Sequence, residues 1–537
     1  MNMTSRFDWA AGYPSRRSPL FARNIVSTSH PLAAQAGLQM LRQGGNAVDA
    51  AIATAACMTL VEPCSNGLGS DAFCILWDGQ QLHGLNASGP APAAWTPAFF
   101  SGQTMPKRGW GSVTVPGAVG AWTALSKRFG KLPFADLMQP AIEIAERGYA
   151  VPPIVQGKWA MAAALDDLTS QPGFAEAFLP RGRAPEVGEL FRFADAARSL
   201  RLIAESGGEA FYRGEIAQAL ARFARETGGA LTEADLAAYQ PEWVTPLAKD
   251  FAGHTLHEIP PNGQGIAAQM ALGLLEHCNV TAHAVDSAEA QHLMIEAMKL
   301  AFADVYRFVA EPGAMKISAA QLLDPAYLAE RVKLIDPARA QVHGAGNPIK
   351  GGTIYLTAAD ESGMMVSFIQ SNYMGFGSGL VLPGYGVSLQ NRGHCFTLEA
   401  GHPNQVAPGK RPFHTIIPAF LTKDGVPVMS FGVMGGNMQP QGHMQTLVRM
   451  LCYGQNPQAA CDAPRWRFND GLSINIEPHM PAATIEGLRA RGHEIGDIHD
   501  SYQDFGAGQF IWRLGDTSVE GYVAASDPRR DGAAVGY

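Results

Sequence analysis

The chain is expected to be an α/β protein of the α+β kind, and three observations lead there. Helix-like and strand-like hydrophobic periods alternate in the first ninety residues. Residues 118–340 read mostly as helix, and from Gly351 onward period-2 strand patterns dominate. With 537 residues, 47% of them apolar, the chain can bury a large core as two to four domain-sized units or as one large α/β unit.

The elements follow in order. "SHPLAAQAGLQMLRQGG" predicts a helix: Pro31 suits its start, Ala34, Leu38 and Leu41 share a face, and Gly44-Gly45 stop it. "VDAAIATAACMTLVEP" is small and apolar on every side, the pattern of a buried, closely packed helix. "DAFCILWDGQQLHGLNASG" reads as two strands joined at Asp78-Gly79. The helical stretches of 118–340 end in "VHGAGNPIKGG", a Gly- and Pro-rich polar linker. Thr353-Ile354-Tyr355-Leu356-Thr357 then alternates as a strand, Asp360 to Gly363 turns, and Met364 to Ser371 returns as a second strand. Further helices are expected at 437–454 and 481–491, and there is no internal repeat.

Bulk properties exclude several classes. The formal net charge is −8 and no Lys/Arg block stands out, so neither nucleic acid nor an anionic membrane surface is indicated as a partner. The seven cysteines (57, 64, 74, 278, 395, 452, 461) are odd in number and contain no C-x-x-C pair. That argues against a disulfide framework and a structural zinc site, and for buried small hydrophobes. The N-terminus has no apolar signal core and no run reaches the ~20 apolar residues of a membrane span, so a cytoplasmic location is expected. H-E-x-x-H, P-loop and G-x-S-x-G motifs are missing. "GFGSG" at 375–379 lacks the flanks of a dinucleotide site, and the fifteen histidines show no ligand spacing, so neither cofactor nor metal is expected.

One nucleophile remains open to the chemistry. A Gly-Gly-Thr tripeptide is by itself ordinary strand punctuation. If the bond between Gly352 and Thr353 is cut, however, Thr353 gains an α-amine of pKa near ~8 beside its hydroxyl. One residue then supplies nucleophile and general base. The glycines let the backbone bend so that the hydroxyl can approach the Gly352 carbonyl. In "VMGGNMQPQGH", Gly435 and Gly436 offer backbone N–H groups that an oxyanion can approach without Cβ obstruction.

"QGGNAVDAAIA" (43–53), "EPCSNGLGSD" (62–71), "VTVPGAVGAW" (113–122), "PPNGQG" (260–265), "EAMKLAFAD" (296–304), "FGSG" (376–379), "KRPFHTIIP" (410–418), "MGGN" (434–437) and "SDPRRDGAAVGY" (526–537) occur together and in this order. Over nearly its whole length the chain resembles the γ-glutamyltransferase (γ-glutamyltranspeptidase) family of N-terminal nucleophile hydrolases. The resemblance implies a precursor that cuts itself into a large part, 1–352, and a small catalytic part, 353–537, which fold as one four-layer αββα sandwich. The implied partners are these two subunits and a small-molecule amide, with a homodimer left open. It implies Thr353 as the catalyst, Gly435 and Gly436 as the oxyanion pair and Ser371 as a hydroxyl bonded to the nucleophile. Asn372 stands at, or one residue from, an asparagine that contacts the substrate's amino group.

The substrate-binding positions depart from the family. Its arginine for the γ-glutamyl carboxylate falls at about Asn86, and its paired serines become His414 and Thr415. Its glutamine and aspartate for the α-amino group fall at about Arg392 and Cys395. Loss of the aspartate removes an ammonium's counter-charge, and Arg392 repels an ammonium and attracts a carboxylate. The stretch from Cys395 to Lys410 is short, consistent with an open site. The reading is therefore a self-processing amide hydrolase or acyltransferase acting on a small carboxylate-bearing amide. Glutathione or γ-glutamyl cleavage, an oxamate- or glutaryl-type amidohydrolase, and an unprocessed binding relative are the alternatives.

Overall fold

The structure, a computed structural model, describes residues 17–343, 352–498 and 505–537. The N-terminal segment read for a signal core and most of the Gly/Pro-rich linker, Gly351 included, lie outside the described residues. Two seven-stranded antiparallel sheets face each other. The first runs Leu20–Ala22, Tyr522–Ser526, Gly508–Arg513, Val426–Val433, Ala419–Lys423, His254–Glu258, Leu247–Phe251. The second runs Ala533–Gly536, Ile25–Thr28, Gly352–Ala359, Met365–Tyr373, Asp71–Trp77, Leu82–Ala87, Glu242–Val244. Both sheets take strands from before and after residue 353, so the two parts of the chain share one core.

Strand alternation builds the layers. In Gly352–Ala359, Tyr355 and Ala359 point between the sheets, where they meet Phe73, Ile75, Ile369, Phe420 and Ile511, all fully buried. Ile354, Leu356 and Ala358 point the other way, against the helices. Each such large side chain contributes about 1.5–3 kcal/mol by leaving water. The second sheet is covered by Ala47–Val61, buried along its whole length as its uniformly apolar sequence predicts. Asn46 caps this helix, accepting from the Val48 and Asp49 N–H groups, and the Asp49 carboxylate returns a bond to the Asn46 N–H. The first sheet is covered by Ile266–Leu275, Ala288–Phe308 and Met438–Leu447. Helix, sheet, sheet, helix is the expected αββα order.

Some local expectations need correction. Residues 242–258, placed in a mostly helical region, form three strands (Glu242–Val244, Leu247–Phe251, His254–Glu258). Their Trp, Val, Thr and Phe content and the left-handed Gly253 turn favour extended chain. The helix expected over 437–454 is Met438–Leu447 continued by a π-helical turn, Val448–Cys452.

Candidate active site

Thr353 sits one residue into its strand, 1% exposed, at a β-bulge. Gly352 pairs with Tyr373 and Ile354 with Gln370, so Ser371 and Asn372 together oppose Thr353. A bulge re-aims side chains at a strand end. Here it brings Ser371 Oγ to 3.3 Å from Thr353 Oγ1 and turns Asn372 to the opposite face. On that face Asn372 Oδ1 accepts from Ser70 Oγ at 2.8 Å, and its Nδ2 donates to Ser388 Oγ at 3.3 Å. The next residue, Tyr373, donates its N–H to Ser371 Oγ at 2.8 Å.

Gln439, in the first turn of Met438–Leu447, donates from Nε2 to Thr353 Oγ1 at 3.4 Å. Arg530 donates from Nη2 to the Thr353 carbonyl at 3.3 Å and pairs through Nη1 with Glu62 at 2.7 Å. The stretches "EPCSNGLGSD" and "SDPRRDGAAVGY" thus converge on the backbone of Thr353. Gln439→Ala is expected to lower kcat about two- to tenfold, the worth of one net hydrogen bond. Steady-state kinetics on processed enzyme check this.

Gly435 (φ +117°) and Gly436 (φ +61°) form the turn leading into the Gln439 helix. Their carbonyls accept from the Met438 and Gln439 N–H groups, while neither glycine N–H donates to another described residue. Two adjacent unengaged N–H groups suit an oxyanion. Gln264 fixes the turn, donating from Nε2 to the carbonyls of Thr415 (2.6 Å) and Gly436 (3.0 Å).

The substrate-side residues fall into two groups. Asn86 is an internal bracket: its Nδ2 donates to Asn262 Oδ1 and its Oδ1 accepts from the Ser88 N–H and hydroxyl. His414 is also internal. Its Nδ1 accepts from the Ile416 N–H, so Nε2 carries the proton and donates to Asp71 Oδ2 at 3.0 Å, and the ring packs on Phe73. Burial and the nearby Arg392 hold His414 well below the usual imidazole range, which keeps it neutral. Burial pushes Asp71 up to about 7, against the pull of Arg392 and the Gly89 and Gly117 N–H groups.

Thr415, Arg392, Cys395 and Tyr373 form the second group. Arg392 is fully buried; Nη1 donates to Thr415 Oγ1 at 2.7 Å and the guanidinium stacks on the Tyr373 ring at 4.4 Å. Asp71 lies 3.7 Å from Arg392 Nε, too far for a hydrogen bond. Arg392 Nε and Nη2 have no hydrogen-bond partner. Tyr373, Cys395, Thr415, Asn437 and Tyr306 line a cavity of about 790 Å³ that reaches Arg307 at the surface. Burial pushes the Cys395 thiol up, against the pull of Arg392.

The structure also gathers His292, Glu296 and His493, whose ligand-type atoms lie within 4.8 Å of one another. The i, i+4 spacing of the first two on Ala288–Phe308 was the available signal. Internal bonds occupy the group: Glu296 binds Lys299 at 2.7 Å and His343 at 2.8 Å, and His292 bonds the Asp336 carbonyl and His493.

Four αββα layers with a threonine heading a central strand define an N-terminal nucleophile hydrolase. Comparison with known proteins agrees. A family model described as gamma-glutamyltranspeptidase matches residues 33–537. The chain is 35% identical to the glutathione hydrolase-like YwrD proenzyme of Bacillus subtilis (strain 168), over 97% of this chain and 99% of that protein. It is 36% identical to the oxamate amidohydrolase proenzyme of Klebsiella pneumoniae subsp. pneumoniae, over 97% and 99%. Among solved structures, cephalosporin acylase from Bacillus halodurans superposes with a TM-score of 0.93 at 48% identity, covering 99% of both chains.

The chain belongs to the gamma-glutamyltranspeptidase family. It is an enzyme, an amide hydrolase or acyltransferase of the N-terminal nucleophile type, made as a proenzyme that is processed into large and small subunits. None of its helices, among the described residues, is long and apolar enough to cross a membrane.

Proposed function

We propose that the protein cuts itself between Gly352 and Thr353 and then cleaves small amides whose acyl part carries a carboxylate and no α-ammonium. Thr353 Oγ1 attacks the amide carbonyl while the freed α-amine of Thr353 takes the hydroxyl proton. The oxyanion accepts from the Gly435 and Gly436 N–H groups, and Ser371 and Gln439 orient the nucleophile. The C–N bond breaks as the α-amine passes its proton to the leaving amine. Water, or an acceptor amine, then attacks the threonine ester and loses a proton to the α-amine; the C–Oγ1 bond breaks as the α-amine returns that proton to Thr353 Oγ1, and the acyl group leaves.

The observation that carries the acyl preference is Arg392, a buried guanidinium with two N–H positions unpaired behind the cavity wall. Buried unpaired donors are costly and uncommon, and a planar guanidinium suits a carboxylate. Asp71 offsets the charge at longer range and is shared with His414. Two acidic side chains, Asp304 and Glu399, also line the cavity; Asp304 is bound by Tyr327 and Arg331, and neither stands among Tyr373, Cys395, Thr415 and Asn437 beside Arg392. The oxamate amidohydrolase and the cephalosporin acylase among its relatives support a non-γ-glutamyl donor.

The test compares a glutaryl anilide, its uncharged methyl ester and a γ-glutamyl anilide on processed enzyme. The glutaryl compound is expected to be the best of the three. Arg392→Ala should lower its kcat/KM by about 2–3 kcal/mol, roughly 30- to 150-fold, with little change for the methyl ester. Efficient γ-glutamyl turnover by the wild type would sink the proposal.

A further inference from the structure

We propose that Tyr373 and Cys395 form a gate that sets acyl specificity: closed, they cover Arg392, and a substrate carboxylate enters only when the Tyr373 ring swings off the guanidinium. This rests on the reading of Arg392 as the carboxylate anchor.

Placement comes first. Tyr373 and Cys395 line the cavity, whereas Arg392, fully buried, lies behind them with Tyr373 stacked on its face. The Tyr373 hydroxyl and the Cys395 thiol contact each other, and the thiol also lies against Arg392. A carboxylate in the cavity therefore meets ring and sulfur before it meets nitrogen.

Polar satisfaction comes second. Stacking uses the face of a guanidinium and leaves its in-plane N–H groups unengaged. Arg392 Nε and Nη2 are in that state. Thr415 holds Nη1 from the other side at 2.7 Å, so the plane of the group is already set before any ligand arrives. The closed gate shields a charge that Asp71 offsets from 3.7 Å and whose Nε and Nη2 have no hydrogen-bond partner.

Backbone conformation comes third. Tyr373 has φ +75°, in the left-handed region that large L side chains seldom adopt. Strain of this kind persists where surroundings impose it, and it gathers at sites that switch. The hydrogen bond from the Tyr373 N–H to Ser371 Oγ anchors the residue on its backbone side. The ring, in a residue only 2% exposed, packs one face on Arg392 and sets its hydroxyl against the Cys395 thiol. Rotation about the side-chain bonds can open the gate while the Ser371 bond, and with it the nucleophile, stays in place.

The test uses processed Tyr373→Phe, Tyr373→Ala and Arg392→Lys enzymes with the glutaryl anilide and its methyl ester, and with glutarate as a competitive inhibitor. Tyr373→Phe removes only the tie to Cys395; Tyr373→Ala removes the cover. Both should raise the glutaryl-to-ester ratio of kcat/KM, about threefold or more, and lower the glutarate inhibition constant by a similar factor. A merely structural tyrosine would lower both substrates alike and leave the ratio unchanged, which would overturn the gate. If Tyr373→Ala does not process, Tyr373→Phe alone decides. An unchanged ratio in Arg392→Lys would instead remove the anchor on which the gate depends, a failure separable from the first.

Discussion

Thr353→Ala is expected to remain a single chain of 57.2 kDa with no hydrolytic activity. The hydroxyl that would open the Gly352–Thr353 bond and the hydroxyl that would attack substrate are the same atom. The α-amine proposed as base exists only after the cut. Removing a nucleophile that works as a unit with its base costs roughly 10⁴-fold or more in kcat. Denaturing gels and N-terminal sequencing check both halves of the prediction. Wild type should give two fragments, the smaller beginning Thr-Ile-Tyr-Leu. Any other start in an active preparation would remove Thr353 from the mechanism. The fold of the variant should be unaltered, because the Thr353 hydroxyl makes only long contacts of 3.3 and 3.4 Å and alanine keeps the strand's Cβ.

Gly435→Ala should lose roughly 10²–10³-fold in kcat with KM nearly unchanged, the signature of a lost oxyanion donor. At φ +117° an L side chain is strained, and an added Cβ would lie 3.1 Å from both Gly506 Cα and Met438 Cβ. The peptide plane has to rotate, which takes its N–H away from the oxyanion. Self-cleavage should slow as well and is measured separately by following the precursor band. Gly425→Ala is the control. It also requires positive φ (+77°), yet nothing lies within 4 Å of its added Cβ and it sits in a hairpin turn. It should lower the melting temperature and leave kcat intact. Equal losses of kcat in the two variants would assign the effect to general strain.

Thr353 and Gly435-Gly436 were legible in the sequence as candidates because each rests on a local pattern: a strand opening on Gly-Gly-Thr, and Gly-Gly before a helix. The fully apolar helix and the hairpin around Asp78-Gly79 were legible for the same reason. Tyr373 was not. The bulge opposite Thr353 inserts one residue into the partner strand, so counting along the chain leaves open whether Asn372 or its neighbour faces the site. The roles of Asn86 and His414 depend on Asn262 and Asp71, partners 176 and 343 residues away in the chain, which no spacing rule connects. Arg392 was recognisable as a misplaced charge, but its burial behind an aromatic ring is a property of packing. The strands of 242–258 were hidden by the strongly helical segments on either side.

Both sheets interleave strands from before and after residue 353. The proposed cut at Thr353 severs a chain whose halves are already woven together, and the mature enzyme inherits an arrangement that only the uncut chain could reach by a unimolecular route. Once melted, the cut form has to reassemble from two diffusing polypeptides, each carrying unpaired strand edges. Its renaturation should be concentration-dependent and prone to aggregation, whereas uncut Thr353→Ala should renature at a rate independent of dilution. The mature enzyme's lifetime is then governed by how slowly it first opens rather than by an equilibrium it can revisit.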